Sequence, residues 1–462
     1  MSKSQQMNPD YRSHPENTAD LGHIPGTWGL PLLGETFPLI KDVRQLIEEH
    51  YTKYGPVSKL SIGFQKGVLV VGPDNYQKIY LDRDQNFSTE MGYERSLNHF
   101  YRGGLLMRDF DDHRFQRRMF QTAFKNEPMR GYVGMMNPIL RQHMDSWQGQ
   151  QGFLFFDGIK QALLEVGAKV FIGIDDLGEE AEKMNKAFLD ISEKGLMGLF
   201  KWDLPGLKYH EGLKGKRYLE KYFGDLIPIR RAGDGTDMLS FMAKEKMENG
   251  EYFPEVDLIP HTSFLLFAAH DTTTSALCHM IYYTAKHPEW QDKLRAEAQA
   301  LGKATLDYDD LDKMELMELV FKECLRLRPS VSLMIRRTIS ECELIGRDGE
   351  PVRVPADTIL FIPPVYNHTM AEYWDDPMTF DPMRFAPPRE EHKRHSFSYM
   401  PFGGGAHKCI GMHFANMLAK CFMHQFLLNY KYSVAEGYDP HLESFPLPKP
   451  GDNLPLKIER LQ

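Results

Sequence analysis

What the chain lacks narrows it first. No run approaches the roughly 18 apolar residues that a membrane-crossing helix needs, and the apolar stretch Phe264 to Ala269 is far too short. The first twenty residues, MSKSQQMNPDYRSHPENTAD, have no apolar core of the kind a secretory signal carries. Both absences lead us to expect no membrane span and a cytoplasmic location. Positive charge is in deficit as well, with 55 Lys and Arg against 64 Asp and Glu and a net charge of -9. Nucleic-acid binding relies on clustered Lys and Arg against phosphate, so it is not expected here. Cysteine is sparse: five residues, at 278, 324, 342, 409 and 421, with no CxxC pair. An odd and scattered set supports neither a disulfide framework nor a zinc knuckle. What remains open is whether any one thiol is a metal ligand.

Internal repeats, low-complexity tracts and long flexible linkers are missing too. Against that, 42% hydrophobic and 26% charged residues are ordinary for a globular chain. We expect residues 1–20 to be a flexible polar N-terminus and residues 21–462 to form a single domain, mainly α with small β-sheets. The Pro- and Gly-rich IPGTWGLPLLGE should run extended, followed by a helix over Asp42 to Tyr54 that stops at Gly55-Pro56. VSKLSIGF and KGVLVVG read as a β-hairpin. From about 74 to 330 the periodicity is helical. Strand character returns at CELIG and VRVPADTILFIPP, a second hairpin candidate, and a strong helix spans Gly411 to Tyr430.

One cysteine stands apart. Phe402-Gly-Gly-Gly-Ala-His407-Lys-Cys409-Ile-Gly411 packs glycines into a loop and delivers a thiol just before a helix. Glycines let backbone approach a flat ligand closely, and a helix N-terminus favours a thiolate. A lone cysteine after a flexible turn is more often just a small buried residue. The spacing F-G-x-G-x-[HR]-x-C-x-G, however, resembles the haem-binding loop of the cytochrome P450 family at every defined position.

Other segments match the same family in order. Glu323 and Arg326 lie one helical turn apart, by themselves an ordinary surface pair. With Arg384 of Phe380-Asp-Pro-Met-Arg-Phe385 they resemble the family's buried Glu-Arg-Arg triad, although Met383 stands where Glu is usual. Ala268-Ala269-His270-Asp271-Thr272-Thr273 resembles the oxygen-activation motif of the central helix, with Ala269 in place of the commoner Gly, which leads us to expect a tighter kink. Read alone, these threonines would bond back to carbonyls one turn earlier. His113 and Arg117, four apart on one helix face, resemble the family's propionate-binding pair. Arg336 matches a further propionate position, with Arg337 the alternative if the register slips by one.

The resemblance implies the cytochrome P450 fold and a haem-thiolate monooxygenase of the soluble bacterial type, similar to the branch of retinoic acid hydroxylases and sterol demethylases. Its cofactor would be haem b, with Cys409 the iron ligand and His113, Arg117, Ala268, Arg336, Phe402, Gly403 and His407 around it. Asp271 and Thr272 would be catalytic, and Glu323, Arg326 and Arg384 structural. We expect no fused flavin or iron-sulfur domain, so electrons would come from a ferredoxin and its NAD(P)H-fed reductase. Lys408, Arg118 and Lys125 are candidates for that docking face, or simply solvated. We expect a monomer that takes O2 and a hydrophobic small molecule, a terpenoid, retinoid or sterol first and a fatty acid second. Phe87 to Phe100, Phe264, Phe267, Ala268, Val331 to Met334 and Phe445 to Leu447 would line its pocket, though such residues equally describe a core. Two alternatives stay open: a peroxide-driven peroxygenase or isomerase, and a haem protein that only senses or carries a ligand.

Overall fold

The longest element is the helix Glu255–Lys286, about 48 Å at 1.5 Å per residue. Glu255 and Asp257 in its first turn and Lys286 in its last suit the helix dipole. It stops at His287 because Pro288 opens the next helix, Pro288–Ala300. Between Leu258 and Thr284 it is buried on most of its circumference, as befits a core helix that is apolar nearly all round. Phe155–Gly167 packs along it, and Glu315–Leu327 and Met412–Asn429 also contact it. This computed structural model describes residues 19–174, 178–198, 201–444 and 448–461. Of the expected flexible stretch 1–20, residues 1–18 lie outside the described residues. No described helix is long and apolar enough to cross a membrane.

The expected N-terminal helix and hairpin are present. Gly26 bridges to Lys59 and Gly34 to Ile62 along the sheet edge, but Leu30 bridges back to Gly34, so IPGTWGLPLLGE folds through a tight turn there and is not extended throughout. Val43–Tyr54 is helical, with the Asp42 carboxylate accepting the N–H groups of Arg44 and Gln45. The hairpin is β1 (Val57–Ile62) and β2 (Gln65–Val70).

The C-terminal half departs from expectation in two ways. In place of one long hairpin, β5 (Cys342–Ile345) pairs only with β6 (Pro351–Val354), and β7 (Ile359–Ile362) leaves it. All four residues of β7 are buried, and a strand apolar on both faces needs a sheet interior. It lies parallel to β2 and antiparallel to β4 (Met334–Thr338), which in turn pairs with β3 (Phe87–Ser88). The polar MIRRT of β4 gives no alternation signal, so sequence periodicity misses it. That strand matters, because successive side chains alternate across it and separate Arg336 from Arg337. The helix expected over Gly411 to Tyr430 runs Met412–Asn429; Tyr430 opens β8 (Tyr430–Ser433), paired with the C-terminal Lys457–Arg460.

Glu323, Arg326 and Arg384 meet in the interior. Arg326 Nε and Nη2 donate to the two Glu323 oxygens at 2.7 and 2.8 Å, and Arg384 Nε donates to Oε1 at 3.1 Å. A fourth member was not anticipated: Glu391 accepts from Arg384 Nη1 at 2.8 Å. All four side chains are 0–1% exposed, and two acids against two bases leave no net charge. Arg326 also donates to the carbonyls of His368 and Pro377, and Arg384 to that of Asp375. The network thus clamps the helix Glu315–Leu327 to the loop that leads into the cysteine segment. Removing one member strands a buried charge, so Glu323→Gln or Arg384→Leu should lower unfolding stability by about 3–5 kcal/mol in urea titrations.

Candidate active site

The cysteine loop is shaped by its glycines. Gly405 has φ +61° and packs so tightly that a Cβ there would lie 1.7 Å from the Tyr80 carbonyl oxygen, which only glycine permits. The Cys409 N–H donates to the Phe402 carbonyl at 2.8 Å, closing the turn. Gly411 is the N-cap of the C-terminal helix, and its N–H reaches the Cys409 sulfur. Cys409 is the one exposed cysteine among the described residues; 278, 324 and 421 are buried. Polypeptide nevertheless crowds round it, so the surface that reaches the sulfur is that of a recess. Burial pushes the thiol up, opposed by the Gly411 N–H and then by the charges of Arg117 and Lys408.

Four basic side chains gather beside this loop. The rings of His113 and His407 stack at 3.9 Å. Arg336 is 5% exposed, stands over the Tyr80 ring and donates only to the carbonyl of its neighbour Ile335. Arg337 is occupied elsewhere, paired with Asp357 at 2.5 Å and Glu94 at 3.2 Å. Arg336 is therefore the arginine that β4 turns toward the cluster, and the one-residue slip is not needed. Among the described residues no carboxylate lies within ion-pair distance of Arg117 or Arg336. Asp109 approaches His407 only at 3.9 Å, since its oxygens are taken by the Ser88 hydroxyl and the Thr89 N–H. His113 Nδ1 is buried with no partner. Burial, then Arg117 and Arg336, push His113 down to about 4, and burial and Arg336 likewise hold His407 well below its ordinary value. Together with Arg114, a cleft of about 240 Å³ borders Arg336 and His407.

The central helix carries the other candidate residues. Phe264, Phe267, Ala268, Ala269, Asp271 and Thr272 are partly accessible between buried neighbours, and the spacing of all but Ala269 puts them on one face. The helix runs unbroken through Ala268 to Thr272, so the expected kink is not marked by a break in the helix. Thr272 Oγ1 donates to the Ala268 carbonyl at 2.6 Å, and Ser330 Oγ donates to the Thr272 carbonyl. Asp271 is not free either: His270 Nδ1 meets its Oδ1 at 2.9 Å. Attention to the Asp-Thr pair alone passes over His270, and only its position beside an acid could have flagged it. Of the expected pocket lining, Phe445 to Leu447 lie outside the described residues.

The donor set fits a dianionic macrocycle with one axial sulfur. Two arginines lack anions, a buried imidazole nitrogen lacks a partner, and an accessible thiol sits at a helix N-terminus. Residues 24–454 match the family model for cytochrome P450. The chain belongs to the cytochrome P450 family. A Mycobacterium tuberculosis cytochrome P450 designated 136 is 34% identical over 452 residues, spanning 96% of this chain and 90% of that one. Taxane 13-alpha-hydroxylase of Taxus cuspidata is 26% identical, spanning 94% and 91%. The solved structure of retinoic acid bound cyanobacterial CYP120A1 shares the fold, with TM-score 0.82 at 23% identity over 95% of this chain and 99% of that one. As a P450 the chain is a monooxygenase-type oxidoreductase with haem iron as its cofactor.

The depressed His113 makes the haem-stripped protein acid-sensitive. Below the ordinary value of 6.5 the unfolded chain takes up a proton at this ring, whereas the folded chain does so only near 4. Stability is therefore lost as pH falls across that interval. Urea midpoints measured against pH should show this slope, and it should shrink in His113→Phe and in Arg336→Leu, which removes a like charge.

Proposed function

We propose that this P450 would hold haem b through the Cys409 thiolate as its iron ligand and that it oxidises a hydrophobic, lipid-like molecule. The basic cluster carries the reading. His113, Arg117, Arg336 and His407 converge beside an accessible thiol, and neither arginine has an anionic partner. Two propionate carboxylates would supply the missing charge to the buried Arg336 and the partly buried Arg117. Phe402 and Gly403 would lie against the macrocycle on the sulfur side, with Ala268 facing it from the central helix.

Bound haem supplies the activation of O2, in which two electrons and two protons let one oxygen atom enter the substrate and the other leave as water. The rest falls to the chain. The Gly411 N–H and the helix N-terminus steady negative charge on sulfur. Thr272, its own proton held by the Ala268 carbonyl, keeps lone pairs free to accept a hydrogen bond, and Asp271 beside it handles protons. Phe264 and Phe267 line the same face and exclude water.

A terpenoid, retinoid or sterol-like substrate ranks first and a fatty acid second. The apolar face of the central helix supports this, as do a taxane hydroxylase and a retinoic acid bound protein among the relatives. Electrons would come from a ferredoxin and its reductase. Lys408, next to the cysteine in the chain, and Lys125 are exposed, while Arg118 is engaged with Glu248 at 3.6 Å. We further propose that the protein acts as a cytoplasmic monomer. The Asp271-Thr272 pair favours this reading over a peroxide-driven enzyme, which needs no proton delivery.

In Cys409→Ala the reduced, carbon monoxide-treated protein should lose the red-shifted Soret band of a thiolate-ligated haem; an unchanged spectrum would overturn the ligand assignment. Titration with retinoic acid, a taxane, a sterol and dodecanoic acid should give a low-spin to high-spin shift with at least one, and none responding would refute the lipid reading. With that compound, Asp271→Asn should slow product formation on the order of 100-fold.

A further inference from the structure

His270 is 5% exposed, and both its ring nitrogens point at acceptors. Nε2 lies 2.9 Å from the Lys160 carbonyl and Nδ1 lies 2.9 Å from Asp271 Oδ1. A neutral imidazole has one N–H and one lone pair. Because a carbonyl oxygen only accepts, Nε2 must carry its hydrogen. Nδ1 then either carries a second hydrogen and donates to a carboxylate, or accepts from a protonated Asp271. Either way the two residues hold one proton between them and are together neutral, which is the state their surroundings favour.

Those surroundings are nearly without charge. The Phe188 ring stands edge-on to His270 at 5.4 Å. Leu163, Leu164 and Gly167 from the helix Phe155–Gly167, with Met184 and Asn185 from Glu179–Leu189, close a void of only about 10 Å³ at the ring, at or below what one water needs. The nearby cation, Lys160, is paired through Nζ with Glu193 at 2.6 Å. Near Asp271 stands Tyr101, 1% exposed with an unpartnered hydroxyl, its proton held more tightly by burial and by the Asp271 charge. Asp271 is the wetter partner, 19% exposed in its side chain against 4% for His270.

We propose that His270 is a positioning residue and proton store for Asp271, deepening the proton-delivery role proposed for the Asp271-Thr272 pair and resting on it. In the step, the N–H bond at Nδ1 breaks and an O–H bond forms at Asp271 Oδ1. The resulting acid gives its proton up on the Thr272 side. His270 is left neutral, with its Nδ1 lone pair toward the carboxylate and its Nε2 hydrogen still on Lys160. Water then returns one proton through Asp271, since the far side of the ring is closed. His270 thus stores a proton and does not conduct one through its ring.

The test compares wild type with His270→Asn, His270→Phe and Asp271→Asn, each loaded with haem and verified by its carbon monoxide spectrum. Nitrogen-15 spectra of histidine-labelled protein in the diamagnetic reduced carbon monoxide form identify His270 as the signal lost in His270→Asn. We expect its Nδ1 to hold a proton or a hydrogen bond that changes in Asp271→Asn. A neutral ring indifferent to Asp271→Asn would overturn the proposal. A second readout is hydrogen peroxide released per NADPH oxidised, with a surrogate ferredoxin and reductase and no added substrate. His270→Phe should raise it several-fold. His270→Asn, which keeps a hydrogen bond to Asp271 but stores no proton, should flatten its pH profile. Wild-type values in both His270 variants, with a changed ratio in Asp271→Asn, would sink the His270 role alone. An unchanged ratio in Asp271→Asn would bring down the Asp271-Thr272 reading and this proposal together.

Discussion

The buried ion network of Glu323, Arg326, Arg384 and Glu391, joined at Glu391 by the more exposed Arg389, is the constraint on which the rest of the site rests. Four full charges sit where water does not reach, a situation that is tolerable only because acids and bases balance and the spare donors end on carbonyls. Those carbonyls belong to residues 368 to 379, a loop with little regular structure of its own. The network gives that loop one conformation, and the chain passes from it to the cysteine segment. Met383 beside Arg384 is 42% exposed and takes no part, so departure from the usual residue there leaves the network whole.

The proposed haem site follows the opposite electrostatic rule. Around Cys409 the bases outnumber the acids: Asp109 lies 3.9 Å from His407, but among the described residues no carboxylate pairs with Arg117 or Arg336, and the histidines respond by staying neutral. A stable protein does not keep buried cations unpaired without reason. The contrast between a balanced network and an unbalanced one, within the same chain, separates what holds the fold from what awaits a ligand.

On the central helix the two rules meet. Its buried circumference is ordinary core, while one face keeps an acid and a hydroxyl accessible. Asp271 is steadied by His270, and Thr272 is steadied by Ala268 and Ser330. Chemistry that requires protons in a dry place needs such fixed donors and acceptors.

The sequence by itself determined the local features. Glycine spacing marked the cysteine loop, the i, i+4 spacing of His113 and Arg117 put them on one helix face, and apolar periodicity announced the helices. These depend on neighbours within a few residues, so they are written in the chain. What only the tertiary structure decided was partnership across long separations. Glu391 joined Arg384, β4 chose Arg336 over Arg337 for the cluster by alternating their faces, β7 deserted its expected hairpin for a buried sheet, and Lys160 offered His270 the carbonyl that fixes its proton. Each of these turns on which group ends up buried beside which, and burial is a property of the packed chain.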